Sequence, residues 1–215
     1  MMKQFFTVII PTLWRSNFTI DLLTSYENCT YVDEILVIDN AVAARSQIDF
    51  SSFKKLRILE QKENIYVNPA WNLGVKEAKN ELIAISNDDI LYNPDPVFKF
   101  VSEASDWGAI GMSPSNYKTS GSEMRLEPGD AIGGGWGCLI FVHKSEWIEI
   151  PEDIKIWYGD NWISTSFKKQ NKRVFKLHTS EMIKTKMSTS CGIPSLNPVI
   201  KNDTKAWYYI LKQKK

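Results

Sequence analysis

Glu81-Leu82-Ile83-Ala84-Ile85-Ser86-Asn87-Asp88-Asp89-Ile90 is the stretch on which the reading of this chain turns. Glu81 to Ile85 is an apolar run of strand length, and Leu91-Tyr92-Asn93-Pro94-Asp95-Pro96 follows Ile90. Proline has no N–H for a ladder, so a regular strand stops before it. Two adjacent carboxylates and a carboxamide therefore stand where a buried strand ends. Open α/β sheets bind ligands at the carboxyl ends of their strands. Hard oxygen ligands there suit Mg2+ or Mn2+, above all when phosphate oxygens complete the shell. The same letters also make an ordinary Asx turn, so the neighbouring segments must discriminate.

Upstream, Phe5 to Ile10 is β-branched and aromatic and predicts a first strand, ended by Pro11-Thr12. Ile20, Leu22, Leu23 and Tyr26 predict a helix over Thr19 to Asn28. Glu34 to Ile38 predicts a second strand, ended by Asp39-Asn40, and Leu56 to Leu59 a short third one. Pro69 suits the first turn of a helix, where its missing N–H is not needed. That helix is expected to run to Lys79 on Ala70, Leu73, Val75 and Ala78. Strand, helix, strand, strand, helix, strand predicts βαβ units: an α/β fold with a mostly parallel central sheet flanked by helices.

Downstream, a helix is expected over Val97 to Ser105 and strands over Gly108 to Met112 and Cys138 to Val142. Ser113 to Asp130, rich in Ser, Gly, Asn and Pro, reads as a long loop or loose hairpin, a length that is often functional. Ile156-Trp157-Tyr158-Gly159-Asp160-Asn161-Trp162 opens a helix through Lys169, and Val174 to Leu177 is a late strand with His178 just beyond it. An irregular tail from Thr179 leads to a terminal helix, Asp203 to Lys212. No repeat or low-complexity block divides the 215 residues, so a single domain over 1–215 is expected.

Composition narrows the function classes. Hydrophobic residues make up 43%, enough for a sizeable core, and 26 basic residues nearly cancel 25 acidic ones. Net charge of +1 argues against a partner bound by general charge, so no nucleic acid is expected, despite local clusters at Lys54, Lys55, Arg57 and at Lys168, Lys169, Lys172, Arg173. Cys29, Cys138 and Cys191 fit no zinc or disulfide framework, which favours a reducing, cytoplasmic compartment. Met1 to Trp14 lacks a small-residue cleavage site, and no apolar run is long enough for a transmembrane segment. Sequons at Asn17, Asn28 and Asn202 carry little weight in a cytoplasm.

Four segments, in order and spacing, resemble a GT-A-fold glycosyltransferase of the family-2 type: Val8-Ile9-Ile10-Pro11-Thr12, Ile35 to Asn40, Asn64 through Asn72 to Asn80, and Asn87-Asp88-Asp89 in the place of the family's Asp-X-Asp motif. Within the family the chain resembles the small glycosyltransferase domains encoded by chlorella viruses, which implies a viral protein in the host cytoplasm. The resemblance implies a nucleotide-binding half over 1–112 and an acceptor-side half with a C-terminal helix over 113–215. It implies a UDP-type sugar nucleotide donor, a hydroxyl acceptor on a glycan or glycoprotein, Mn2+ or Mg2+ as cofactor, and an inverting hexosyl transfer.

Each position then receives a role by that resemblance. Asp89, last in the metal motif, is the expected metal ligand. Asp88 is expected to bind ribose or a water on the ion; Asn87 stands where the first Asp is usual, and as a neutral amide, a weaker partner for the ion, it is expected to contact the ion through water or to bind the ribose of the donor. His178 is the second expected metal ligand, since imidazole suits Mn2+; a partly exposed strand end would look the same. Asp39 faces the nucleotide in the family, with Asn40, Asn72, Pro11, Thr12 and Arg15 on the donor side; Asp39 could equally cap a turn. Trp14 or Tyr66 could stack on the base or pack. Asp160 is the expected catalytic base, although the family usually shows Glu-Asp where Asp160-Asn161 stands and a helix N-cap reads the same way.

Gly133-Gly134-Gly135-Trp136-Gly137 lacks both the P-loop ending and the dinucleotide spacing. It reads as backbone passing close to sugar or acceptor, with Trp136 as a sugar-stacking platform, though eight Trp in the chain leave core packing open. Trp157, Trp162 and Trp107 read as packing, and His143 as structural. Two rivals stand beside the transferase. A nucleotidyltransferase would need a Gly-rich basic loop that Pro11-Thr12-Leu13-Trp14-Arg15 does not supply. A catalytically degenerate sugar-nucleotide or glycan-binding module is kept alive by Asn87 and the single Asp160.

Overall fold

The computed structural model describes residues 4–45, 48–119, 121, 123–131, 134–185 and 194–213. In chain order its elements are β1 (Phe6–Thr12), α1 (Thr19–Asn28), β2 (Val32–Asp39), β3 (Leu56–Glu60), α2 (Val67–Glu77), β4 (Leu82–Ser86), β5 (Ile90–Leu91), α3 (Pro94–Glu103), β6 (Ala109–Met112), β7 (Arg125–Pro128), β8 (Leu139–His143), α4 (Gly159–Lys169), β9 (Val174–His178), β10 (Lys184–Thr185) and α5 (Asn197–Gln213).

Eight strands form one sheet in the order β3-β2-β1-β4-β8-β6-β9-β7. β3, β2, β1 and β4 run parallel, as do β6 and β9. β8 lies antiparallel between β4 and β6, and β7 is antiparallel at the edge on β9. The sheet is thus more mixed than βαβ counting predicts. An antiparallel neighbour needs no crossover helix, and a central strand buried on both faces reads as a continuous apolar run in either direction.

Alternation along β1 sends Phe6, Val8 and Ile10 into a core with α1 and α3, and Ile9 into a second core with α2 and α4. Gly74 of α2 lets that helix sit on β1: a Cβ there would lie 2.3 Å from Ile9 Cγ2. Pro11 does not end β1. It pairs with Ile38 on the β2 side only, since the β4 ladder stops at Ile9 and Ile85, so its missing N–H leaves no ladder bond unmade.

α3 starts three residues before its expected first residue, at Pro94. Asn93 accepts the Asp95 N–H at 3.3 Å as its cap, and Pro94 and Pro96 fall in a first turn whose N–H groups have no intrahelical partner. α5 likewise begins at Asn197, with Pro198 in its first turn. The stretch expected as loop or loose hairpin contributes β7, and β5 and β10 form a separate two-stranded ladder that the sequence did not announce. Among the described residues no helix is long and apolar enough to cross a membrane.

Candidate active site

The chain moves outward from β1 to β2 and β3, then returns on the other side of β1 as β4. Such a switch point leaves a crevice at the carboxyl ends of the strands. A cavity of about 400 Å³ opens there, and Asn87, Asp88, Asp89 and Asp160 share its wall with Trp71, Trp157 and Tyr158. A smaller one of about 30 Å³, bounded by Thr12, Asn40, Asn64 and Tyr66, shares Pro11, Val67, Asp88 and Ile156 with it. Asp88 therefore sits where the two meet.

The acidic pair is held from several sides. Thr12 Oγ1 donates to Asp88 Oδ2 at 2.5 Å and accepts the Trp14 N–H at 2.8 Å, while Thr19 Oγ1 donates to the Asp88 carbonyl at 3.2 Å. Beneath the pair, Tyr26 Oη donates to Ser86 Oγ at 2.9 Å, and Ser86 Oγ donates to the Asn87 carbonyl at 2.9 Å. The Asn87 N–H reaches the Cys138 carbonyl at 2.9 Å. Burial pushes the Asp88 carboxyl up to about 6; the Thr12 hydroxyl opposes that shift and the Asp89 charge adds to it.

Two adjacent buried carboxylates beside open space form a donor set of hard oxygens that fits Mn2+ or Mg2+. Among the described residues no group of three or more His, Cys, Asp or Glu makes a closed cage. The protein would thus supply one or two carboxylates and leave the remaining positions to water and phosphate, as Mg2+ sites with phosphate substrates do.

Asp160 stands in the first turn of α4. Its Oδ1 accepts the Asn161 N–H at 2.9 Å, and the Gly137 N–H also reaches the carboxylate. Burial still raises its pKa above the ordinary carboxylate range. Gly137 permits the approach, because a Cβ there would lie 3.0 Å from Asp160 Oδ2. Gly134 and Gly135 line the same cavity at φ of +78° and +76°, so this part of the glycine run does bring backbone to the site; Gly133 lies outside the described residues, as does Cys191.

Several expected site residues are placed elsewhere. Trp136 is fully buried, with its indole N–H donating to the Phe175 carbonyl at 3.0 Å. A Cβ at Gly111 would fall 2.2 Å from its ring, so Trp136 fills core space opposite a glycine and offers no face to a sugar. Trp136→Ala is expected to cost about 3–5 kcal/mol, read from the urea midpoint.

Asn72 is likewise structural. Its Oδ1 accepts from Trp147 Nε1 at 3.2 Å and the Ile150 N–H at 3.0 Å, and its Nδ2 donates to the Ile150 carbonyl at 2.9 Å. Asp39 is fully buried and accepts from Trp14 Nε1 and the Ala41 N–H, each at 2.9 Å. Arg45 Nη1 lies 3.1 Å from its Oδ2, close enough for an ion pair but poorly aligned for a hydrogen bond. Asp39 and Trp14 therefore brace each other, and neither lines these two cavities.

Asn40 does line the smaller cavity, its Oδ1 accepting the Ile65 N–H at 3.1 Å. Tyr66 lines that cavity too, and Arg15 is exposed on the loop after β1. His178 pairs across from Arg125, with Nε2 3.0 Å from a Glu127 carboxylate oxygen and Nδ1 3.4 Å from Ser115 Oγ. The unanticipated edge strand β7 supplies Glu127, so the imidazole faces a carboxylate of the sheet edge, and the structure does not group it with Asp89.

Two fully buried side chains that the sequence reading passed over organise the loop before α4. Asp203 of α5 accepts the N–H groups of Lys155, Ile156 and Trp157 at 2.8, 2.8 and 2.9 Å. Asn68 of α2 donates to the Ile154 and Trp157 carbonyls at 3.2 and 3.1 Å. No local pattern marks either residue, because their partners lie far away in sequence.

Residues 7–188 match the family model described as Glycosyl transferase family 2. A comparison with curated protein sequences returns no match. Among solved structures, the mannosyltransferase PcManGT from Pyrobaculum calidifontis in complex with GDP-Man and Mn2+ is 15% identical at a TM-score of 0.64, over 92% of this chain and 68% of that one. S. aureus TarS 1-349 in complex with UDP-GlcNAc is 16% identical at 0.64, over 93% and 64%. GalNAc-T7 with UDP, GalNAc and Mn2+ is 12% identical at 0.64, over 94% and 47%. At these identities the likeness is one of fold, and the chain spans less than two thirds of the latter two.

Proposed function

From the premise that this chain belongs to glycosyl transferase family 2, we propose that it moves a hexosyl-type sugar from a UDP-type donor to a hydroxyl acceptor on a glycan or glycoprotein. The observation that carries the reading is that Asp88, Asp89 and Asp160 share the wall of one cavity at the sheet's switch point.

Thr12, Asn40 and Tyr66 line the small cavity and would border a base and ribose lying across it and the larger cavity it adjoins; in this reading 1–112 is the nucleotide-binding half and 113–215 the acceptor side. Asp88 spans the junction and would orient the ribose and diphosphate. Asp89 would hold Mn2+ or Mg2+. When bound, that ion supplies Lewis-acid stabilisation of the charge developing on the departing diphosphate.

Asp160, ionised, would accept the proton of the attacking hydroxyl as the new glycosidic bond forms and the bond to the diphosphate breaks. Direct displacement of this kind inverts the anomeric centre. The wall of Trp71, Val67 and Ile156 limits the water that competes for the same sugar carbon.

PcManGT was solved with GDP-Man and TarS with UDP-GlcNAc, so the base is the part of the reading to test first. Incubation with a panel of UDP- and GDP-hexoses in Mn2+ is expected to release UDP, and EDTA to stop the release. Tight UDP binding with no release from any donor would instead favour the sugar-nucleotide-binding module. Release that EDTA leaves unchanged would overturn the metal assignment.

A further inference from the structure

Trp157 combines a rigid mount with a partly exposed ring. The residue is 40% exposed, and it lines the cavity that Asp160 lines. Its backbone is fixed at both ends, by the bond from its N–H to Asp203 Oδ2 at 2.9 Å and by the bond that its carbonyl accepts from Asn68 Nδ2 at 3.1 Å. Asp203 gathers three consecutive N–H groups, and such charge-assisted bonds to a buried carboxylate are strong. The next residue, Tyr158, is held at φ of +64° and stacks on Trp207 of α5, with centroids 5.6 Å apart and planes 9° from parallel. Tyr158 also meets Trp157 edge-on, at 6.3 Å and 76°.

Burying an indole stabilises a fold at about 25 cal/mol per Å² of apolar surface, and this chain forgoes part of that at Trp157, 40% exposed, while anchoring the backbone beneath it with two buried polar side chains. Packing alone gives no reason for that combination. A ligand that needs a flat apolar surface beside Asp160 does.

We propose that Trp157 is the platform on which a saccharide acceptor stacks, and that α5 mounts it through Asp203. The inference rests on the reading of Asp160 as the base. A pyranose ring presents an apolar face of C–H groups and a polar edge of hydroxyls. Stacked on Trp157, it keeps that face against the indole and directs one hydroxyl along the wall toward Asp160. A serine or threonine hydroxyl on a bare peptide has no such face, so the acceptor class is a sugar residue, whether free or already attached to a protein. The mount lies beyond the family match, which ends at residue 188, because α5 spans Asn197–Gln213. Trp157 and Asp203 therefore act as specificity and positioning residues.

The test is saturation-transfer NMR titration of the methyl glycosides of glucose, galactose, mannose and N-acetylglucosamine, with an unglycosylated serine peptide as control, with and without UDP and Mn2+. At least one glycoside is expected to bind wild type. Trp157→Ala should weaken it about tenfold, the loss of one aromatic contact, with UDP affinity unchanged, and Trp157→Phe should stay within about threefold. Asp203→Asn should weaken the glycoside and spare UDP, whereas a general loss of structure would lower both. Wild type that binds none of the glycosides, or Trp157→Ala that binds as wild type does, overturns the proposal. Asp160→Asn separates the two readings. It should bind the glycoside normally and fail to transfer; if it transfers normally, the base assignment falls while the binding result for Trp157 stands.

Discussion

Asp160→Asn is expected to lower turnover by about 10²–10⁴-fold, the usual contribution of a positioned general base, with UDP affinity unchanged and thermal stability raised. The carboxamide is nearly isosteric, and its oxygen can still accept the Asn161 N–H that Asp160 Oδ1 accepts at 2.9 Å. What is lost is the ability to take a proton, together with the charge that the Gly137 N–H also bonds.

The stability gain follows from linkage. Burial raises the folded-state pKa of Asp160 above its ordinary value of 3.8. The folded state therefore holds this proton more tightly than the unfolded one, and that contribution is fully present below 3.8 and lost as pH rises through the raised value. Ionising this desolvated carboxylate costs wild type stability that the variant keeps, so the gain in Tm should grow as pH rises through the raised value and shrink in acid. The same shift predicts that kcat/KM of wild type falls with decreasing pH at a midpoint above the ordinary carboxylate value. A variant that turns over within tenfold of wild type, or that loses UDP affinity, would contradict the assignment.

Asp89→Ala is expected to weaken UDP binding in Mn2+ by about 100-fold, equivalent to about 2.7 kcal/mol, and to leave the weak metal-free binding unchanged. Asp88 remains as the second carboxylate, its Oδ2 accepting from Thr12 at 2.5 Å, and supports the binding that is left. Burial stands first among the causes that raise Asp88 and the Asp89 charge comes after it. Removing Asp89 therefore leaves Asp88 still displaced upward. Titration calorimetry in Mn2+ and in EDTA reads both parts; equal affinities for wild type and variant in Mn2+ would remove Asp89 from the metal site.

The parts of this molecule governed by local chemistry were readable in the chain. The apolar spacing of Ile20 to Tyr26 predicts α1 over Thr19 to Asn28, the bounds it has. The runs ending at Pro11-Thr12, Asp39-Asn40 and Asn87-Asp88 became β1, β2 and β4, and their carboxyl ends bring Thr12, Asn40 and Asp88 to adjoining cavities.

What escaped depends on partners distant in sequence. Nothing around Trp136 announces that Gly111 leaves room for its ring, and nothing around Trp157 announces that Asp203 holds its backbone while the ring stays partly exposed. Under the proposal for Trp157, the two tryptophans exchange the roles their neighbours suggest. His178 and Asn72 carry side chains suited to a site, but β7 and the Trp147–Ile150 segment engage them first. An edge strand as short as Arg125–Pro128, with two charged residues and a proline, has no alternating pattern to betray it.

The central claim, that this cavity takes a UDP-linked sugar with a divalent ion on Asp89, is tested most directly by thermal shift with UDP and GDP, each with and without Mn2+, on wild type and Asp89→Ala. Ligand at about 100 times its Kd stabilises by about 2.7 kcal/mol, or about 5–10 °C for a domain of this size. The account predicts that shift for wild type with UDP and Mn2+ together, and its loss on adding EDTA or in Asp89→Ala. A shift with GDP but none with UDP would contradict the donor assignment, and a UDP shift indifferent to both Mn2+ and Asp89 would contradict the metal site.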